Sequence, residues 1–119
     1  MAVTINDIRA ISATLPRSYG AVVHGQARWR VGRLVYAALS HDDTIMGFGF
    51  PREERAALVS SEPDKFVMPR PSDMRHQWVC VRLLDAIDIE ELGELLVEAW
   101  RMCVPKRVAA AYDQREGGE

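Results

Sequence analysis

An alternating apolar segment that runs into an amphipathic helix is the feature that most limits what this chain can fold into. Residues 77–84 carry apolar side chains at alternate positions, which predicts a strand. Asp88 followed by Glu91 three residues later is a typical helix start. The segment 89–104 then repeats apolar residues with helical spacing, so we predict a helix whose apolar stripe packs on a sheet. The stripe consists of Ile89, Leu92, Leu95, Leu96, Ala99 and Cys103.

A hairpin is predicted around Gly32-Arg33, which lies between two alternating segments. Glycine in the first position of a two-residue turn is typical of a type II′ hairpin. With that turn, Trp29 pairs with Tyr36 on one face, and the other face carries Arg28 opposite Ala37. The pattern therefore predicts a sheet with one packed face and one wetter face.

The remaining segments complete an α+β domain in which helices cover one face of an antiparallel sheet, a two-layer architecture. We expect no regular structure over 18–25, or over 61–73, where prolines recur. The further predicted strands are 27–31, 34–39 and 44–50, and the further predicted helices are 5–15, 52–60 and 106–112.

Length and composition agree with one ordinary globular domain. The chain has 119 residues, of which 48% are hydrophobic and 27% are charged. We assign residues 1–112 to a single domain and expect residues 113–119 to fray. The sequence shows neither a signal peptide nor the ~18 consecutive apolar residues of a spanning helix, so we expect a cytoplasmic protein without a membrane partner. A monomer is compatible with these features.

The charge is unevenly distributed along the chain. The formal net charge is −2, and residues 85–98 hold six acids and no base. A net-acidic chain is a poor general binder of polyanions, because such binding comes mainly from the neutralisation of phosphates. Any nucleic-acid site must therefore be a local basic surface that faces away from the acidic helix.

Motifs for metal binding and for catalysis are missing from the sequence. The two cysteines lack CxxC spacing and the three histidines lack HxxxH spacing, so we expect no metal and no cofactor. Glu90, Glu94 and Glu98 form an acidic stripe that could attract a hard cation, although a solvated helix face is the simpler interpretation. No nucleophile motif such as GxSxG occurs, and we expect a protein that is not an enzyme.

Several short motifs follow one another in a distinctive order over residues 5–110. They are the hairpin turn Val31-Gly32-Arg33, Pro63-Asp64-Lys65-Phe66, His76-Gln77-Trp78-Val79-x-Val81, Leu83-Leu84-Asp85 and Ala99-Trp100-x-x-x-Val104-Pro105-Lys106-Arg107. Their order resembles the MmcQ/YjbR-like family. The resemblance implies a compact α+β fold similar to the frataxin-like CyaY architecture. Proteins of that family are commonly described as DNA-binding, so it also implies a DNA partner.

Alternation in the strand 77–84 places Trp78, Cys80 and Arg82 on one face. Arginine is rarely buried without a partner, so we expect this face to be the wetter one. Aromatic and guanidinium groups on a sheet can stack bases and neutralise phosphates. Alternatively, a helix covers Trp78, and Arg82 only extends its charged end to water. The candidate nucleic-acid contacts are Arg28, Arg30, Arg75, Trp78, Arg82, Lys106 and Arg107.

Two further interpretations stay open. Lys65, Arg70 and Arg75 flank the proline-rich loop and, with Lys106 and Arg107, could line a phosphate-binding rim. The last two also follow a helix end, where positive charge offsets the macrodipole without any ligand.

The second open interpretation is a small-ligand or protein-interaction module. It would use an open sheet face near Gly47, Gly49 and Trp78, where glycines allow close approach.

Overall fold

An antiparallel sheet and four helices make up the described part of the computed structural model, which comprises residues 3–69, 71, 77–82 and 87–117. The strands lie in the order β1-β2-β3-β4-β6-β5, and every neighbouring pair is antiparallel. The predicted α+β class with an antiparallel sheet is therefore confirmed. In chain order the elements are α1 (Ile5–Ser12), β1 (Ser18–Val23), β2 (Gln26–Val31), β3 (Leu34–Leu39), β4 (Ile45–Gly49), α2 (Arg52–Ser61), β5 (Phe66–Val67), β6 (Trp78–Arg82), α3 (Ile89–Arg101) and α4 (Lys106–Gly117).

The hydrophobic core lies between the sheet and the helices. Helix α1 packs against β1 and α3, and α3 packs against β3 and β4. Helix α2 lies beside β5 and β6, and its Leu58 and Val59 contact the same core. Burial of these large apolar side chains is the main force that holds the two layers together. The fully buried side chains include Ile8, Tyr36, Leu39, Met46, Phe48, Val79, Val81, Leu92, Leu96 and Trp100.

Helix α3 begins where the sequence predicts and ends earlier. The side chain of Asp88 accepts a hydrogen bond of 2.9 Å from the backbone N–H of Glu91, as an N-cap should. The helix stops at Arg101 instead of residue 104, with Met102 as its C-cap. Proline at 105 disfavours a helical conformation at the residue before it, which explains an end before that position.

The β2–β3 hairpin has the predicted turn and a shifted register. Gly32 has a φ of 60°, as the first residue of a type II′ turn requires. A bulge then places Trp29 opposite Ala37 and Arg28 opposite Ala38. The predicted Trp29–Tyr36 and Arg28–Ala37 pairings are therefore wrong. Tyr36 is the extra residue of the bulge in β3 and has no directly opposite residue in β2. The hydroxyl of Tyr36 lies 2.6 Å from Ser18 Oγ.

Two strands lie where the sequence predicts irregular connections. Strand β1 occupies most of 18–25 and turns back through His24 and Gly25, whose φ angles are 53° and 79°. Positive φ at both positions is the mark of a type I′ hairpin, a turn type for which glycine in the second position is favourable. Strand β5 is only two residues long, and it pairs Phe66 with Val81 at the other edge of the sheet.

Helix α4 is longer than the predicted 106–112 and reaches Gly117. It lies against the end of α3, where the rings of Trp100 and Tyr112 are 5.1 Å apart. The guanidinium of Arg101 forms an ion pair with the carboxylate of Asp113. These contacts hold the middle of α4 against α3. None of the helices in the described ranges has the length and apolarity needed to cross a bilayer.

Candidate functional site

The side of the sheet away from the helices carries the alternate residues of β6. Val79 and Val81 are fully buried toward the helices. Trp78 and Cys80 are half-buried, and Arg82 is exposed. The alternation thus places Arg82 on the wetter face, as the sequence predicts. We call this side of the sheet, away from the helix layer, the sheet face.

Strand register brings Arg28 onto the sheet face as well. Arg28 pairs with Ala38, Ala38 with Gly47, and Gly47 with Cys80, so these residues form one row across four strands. Arg30 lies two residues further along β2 and therefore projects from the same face. Three strand spacings separate β2 from β6, or about 14 Å. Arginines therefore flank a central strip of small residues.

Trp78 lies over that strip. A Cβ atom added to Gly47 would be 3.5 Å from Cε3 of Trp78, so the indole extends across the neighbouring strand. The glycine leaves room for this placement, because a larger side chain at 47 would occupy the space of the ring. The benzo edge of Trp78 thus borders the small-residue strip between the arginines.

Gly49 belongs to the opposite side of the sheet, contrary to the predicted open face shared by Gly47, Gly49 and Trp78. A Cβ atom at Gly49 would be 3.7 Å from Cβ of Ala99 in α3. Close packing of the helix on the strand end is the reason, since any side chain there would push α3 away. The structure therefore separates the two glycines.

Charge is segregated between the two layers. No Asp or Glu occurs in any of the described strands, and their charged residues are the arginines Arg28, Arg30 and Arg82. The acidic residues described lie on helices, in turns or at helix caps, including the stripe of α3. A chain with a net negative charge thus has one sheet face with only positive formal charges.

Two of these arginines have unsatisfied donors. The Nε atoms of Arg28 and Arg30 are buried and have no hydrogen-bond partner in the described part of the chain. Leaving a buried donor unpaired costs on the order of 1–3 kcal/mol.

Two of the other candidate bases, Lys106 and Arg107, do not join the sheet face. Lys106 and Arg107 are exposed in the first turn of α4, which packs on the helix layer. They start a helix instead of following the end of α3 directly, so the predicted compensation of the α3 dipole does not apply to them. Arg70 and Arg75 lie outside the described residues.

Lys65 is held by carboxylates, which removes it from the predicted phosphate rim. Its Nζ lies 2.9 Å from Glu91 Oε1 and 3.1 Å from Glu62 Oε1. Hydrogen bonds from the ammonium to Glu91 and then Glu62 raise the pKa of Lys65 above its usual value. The lysine therefore links β5 to α3, which is a structural role.

The acidic stripe of α3 gives no support to the cation hypothesis. Glu90, Glu94 and Glu98 are exposed, and Glu98 forms an ion pair of 3.0 Å with Arg101. Across the described residues, no group of three His, Cys, Asp or Glu side chains is placed to hold a metal ion. A solvated helix face accounts for the stripe.

A groove at the β1 edge of the sheet is the feature that the sequence missed. It lies between α1 and strands β1 and β2 and has a volume of about 470 Å³. Its lining includes Arg9, Gly20, Arg28 and Trp29. The sequence predicts a connection over 18–25, and without β1 it predicts no groove. The turn at His24-Gly25 was the signal that could have revealed the strand.

These layers define the class of protein, a two-layer α+β domain with helices on one face of an antiparallel sheet and arginines on the other. The family model described as YjbR matches residues 13–102, which is more than half of the chain, so this chain belongs to the YjbR family. The predicted resemblance is therefore confirmed.

A solved structure supports the same fold. The crystal structure of the Deinococcus radiodurans protein DR2400, with a DUF419 domain, has a TM-score of 0.73 to this chain at 24% sequence identity. The match covers 96% of this chain and 88% of that one. At this identity the similarity concerns the fold alone. No curated protein matches the chain.

Proposed function

We propose that the protein binds DNA through the sheet face, in a role without catalysis. The observation that carries the proposal is the presence of Arg28, Arg30 and Arg82 on a face whose strands contain no carboxylate. Phosphate oxygens would be attracted to this face and repelled by the acidic helix α3 on the other side. The segregation of charge thus orients a polyanion on a protein whose total charge is negative.

Donor chemistry adds to the charge. Guanidinium groups bind phosphates in a bidentate way. Among the described residues, the buried side-chain atoms without a partner are the Nε atoms of Arg28 and Arg30, so the terminal nitrogens are the donors for a phosphate. Neutral ligands without strong acceptors would gain less from these donors.

Trp78 supplies an aromatic surface in the same region. Its ring lies across Gly47, next to the small-residue strip that separates the arginines. Stacking of a base on an aromatic side chain is worth on the order of 1–3 kcal/mol, and it needs a base that is free to leave its stack. The face therefore offers phosphate contacts to any DNA and a stacking contact to unpaired bases.

Titration of labelled duplex and single-stranded oligonucleotides at several salt concentrations tests the proposal. Fluorescence anisotropy should show binding that weakens steeply as salt increases, because each phosphate contact releases counterions. Absence of binding at low salt, or binding that is indifferent to salt, would remove the proposed function.

A small-ligand role is the second candidate, and the groove beside β1 is the observation that favours it. The sequence predicts such a ligand near Gly47, Gly49 and Trp78, and of these three Gly49 lies against Ala99 of α3. The groove lies instead at the edge of the sheet, and Arg28 lines it.

A further inference from the structure

Strand β1 is an open edge of the sheet. It pairs with β2, and no strand in the described part of the chain lies on its outer side. Its sequence, Ser-Tyr-Gly-Ala-Val-Val, has no charge and no proline, and its register with β2 is regular along the whole strand. Sheet edges are usually protected by charged residues, proline, a bulge or a short length. The opposite edge strand, β5, is two residues long, whereas β1 has none of these protections.

The backbone groups that face outward belong to Gly20 and Val22. Val23 directly precedes the two-residue turn, and the residues that flank such a turn form a hydrogen-bonded pair. Bonded and non-bonded pairs alternate along an antiparallel ladder, so every second residue counted back from Val23 bonds to β2 and the others turn outward. The N–H of Ser18 follows this rule, because it donates to the carbonyl of Leu15 at 3.2 Å. For Gly20 and Val22, no described residue outside the sheet takes up the outward groups.

The same two residues are exposed, although they lie on the helix side of the strand. Gly20 pairs with the buried Trp29, and partners across a ladder share one face. Nevertheless Val22 is 71% exposed, and Gly20 is exposed as well. Helix α1 therefore leaves this part of β1 uncovered, and the groove of about 470 Å³ borders it there. A second strand can reach the outward backbone groups without displacing the helix.

A copy of β1 itself matches this edge in one antiparallel register. Pairing centred on Ala21 places Gly20 opposite Val22 of the copy, and by symmetry Val22 opposite Gly20 of the copy. Both of these pairs consist of outward-facing residues, so each can exchange its two N–H···O bonds. The exposed valine of each copy then lies beside a residue without a side chain, next to the ring of Trp29, whose Nε1 is 3.4 Å from a Cβ position at Gly20. Hydrogen bonding and side-chain shape thus agree on one register.

We propose that β1 is a dimerisation edge whose partner is β1 of a second copy of this chain. The pairing has a twofold axis through Ala21, as a self-complementary interface requires. On the sheet face, Tyr19, which is 48% exposed, meets Val23 of the second copy. The pairing strands carry no charge, so no like charges oppose each other directly. A strand of another protein could pair with the open backbone, but it would lack the match of Val22 with Gly20.

The dimer is weak, and it forms without DNA. Six residues on each side are far fewer than the roughly 20–30 of a standard interface, so association is reversible and depends on concentration. Valine of the second copy borders the groove beside β1, in the place of a small ligand. Both helix layers lie on one side of the joined sheet, and the arginines of both copies lie on the other.

Sedimentation equilibrium over a wide range of protein concentrations tests the dimer, with Val22→Lys and Leu34→Lys as matched variants. Both replace an exposed apolar strand residue by lysine, and Leu34 begins β3, away from the β1 edge. We expect the wild type to pass from monomer to dimer as concentration increases. Val22→Lys should weaken the dimer at least tenfold, because the second copy would cover its ammonium group, and Leu34→Lys should weaken it less than threefold. A wild type that stays monomeric at every concentration, or equal weakening by both variants, would overturn the proposal.

Disulfide formation tests the register. In the proposed dimer the two copies of Ala21 form a non-hydrogen-bonded pair with Cα atoms about 4.5 Å apart, which suits a disulfide. The two copies of Val23 are offset by four residues along the strands, or about 13 Å. With oxidised glutathione as the oxidant, we expect Ala21→Cys to form a covalent dimer at least tenfold faster than Val23→Cys. The wild type, with Cys80 and Cys103, gives the background rate. Equal rates for the two variants would show that the copies do not pair in this register, and the proposal would fail.

Discussion

Removing the three arginines of the sheet face should flatten the salt dependence of DNA binding by a calculable amount. Each contact with a duplex phosphate contributes about 0.9 to the slope of log K against log salt. If Arg28, Arg30 and Arg82 each contact one phosphate, the variant in which all three are glutamine loses about 2.7 from the slope. Between about 50 and about 200 mM salt this difference corresponds to roughly 40-fold in affinity. Fluorescence anisotropy of a labelled duplex over this range measures both slopes.

A control for the lost charge is the double variant Lys106→Gln/Arg107→Gln. These two bases are exposed on α4, away from the sheet face, so we expect the slope to change by less than about 0.5, well below one duplex phosphate contact. A loss of about 1.8 in the control would mean that α4 contributes to binding. A wild-type slope that survives the loss of all three arginines would refute the reasoning, because no other charged residues stand in the described strands.

Three further predictions concern single contacts. Gly47→Leu should displace the indole of Trp78, because Cε3 of the ring lies 3.5 Å from the position of a Cβ atom at residue 47. We expect it to weaken the binding of single-stranded DNA by about 1–3 kcal/mol. Gly47→Ala adds only an ordinary van der Waals contact and should bind like the wild type in the same anisotropy assay. Burial raises the pKa of Tyr36 above 10.0. The stabilisation linked to this shift is present below about pH 10 and is lost as pH rises through the folded-state pKa. In urea unfolding above about pH 10, Tyr36→Phe should therefore lose less stability than the wild type. A double-mutant cycle of Lys65→Met and Glu91→Gln should give a coupling energy of about 0.5–1 kcal/mol, since the ion pair is partly shielded from solvent. A coupling energy of zero would show that this ion pair does not link β5 to α3.

Local patterns predicted those parts of the fold whose signals lie within one element. The Asp88 cap, the apolar stripe of α3 and the glycine of the β2–β3 turn are such signals, and the structure has all three. Register depends on packing across strands instead. The bulge at Tyr36 in β3 depends on the packing of the Tyr36 side chain, whose hydroxyl contacts Ser18. The alternation of apolar residues does not contain that information.

The candidate site was predictable to a similar extent. Alternation sufficed to place Arg28, Arg30 and Arg82 on the wetter face, because a residue period of two fixes which side each occupies. The predicted packing of helices on the other face is also observed, since α1 packs on β1 and α3 packs on β3 and β4. Gly49 and Lys65 were misplaced because their roles depend on Ala99 and Glu91, which are distant in sequence.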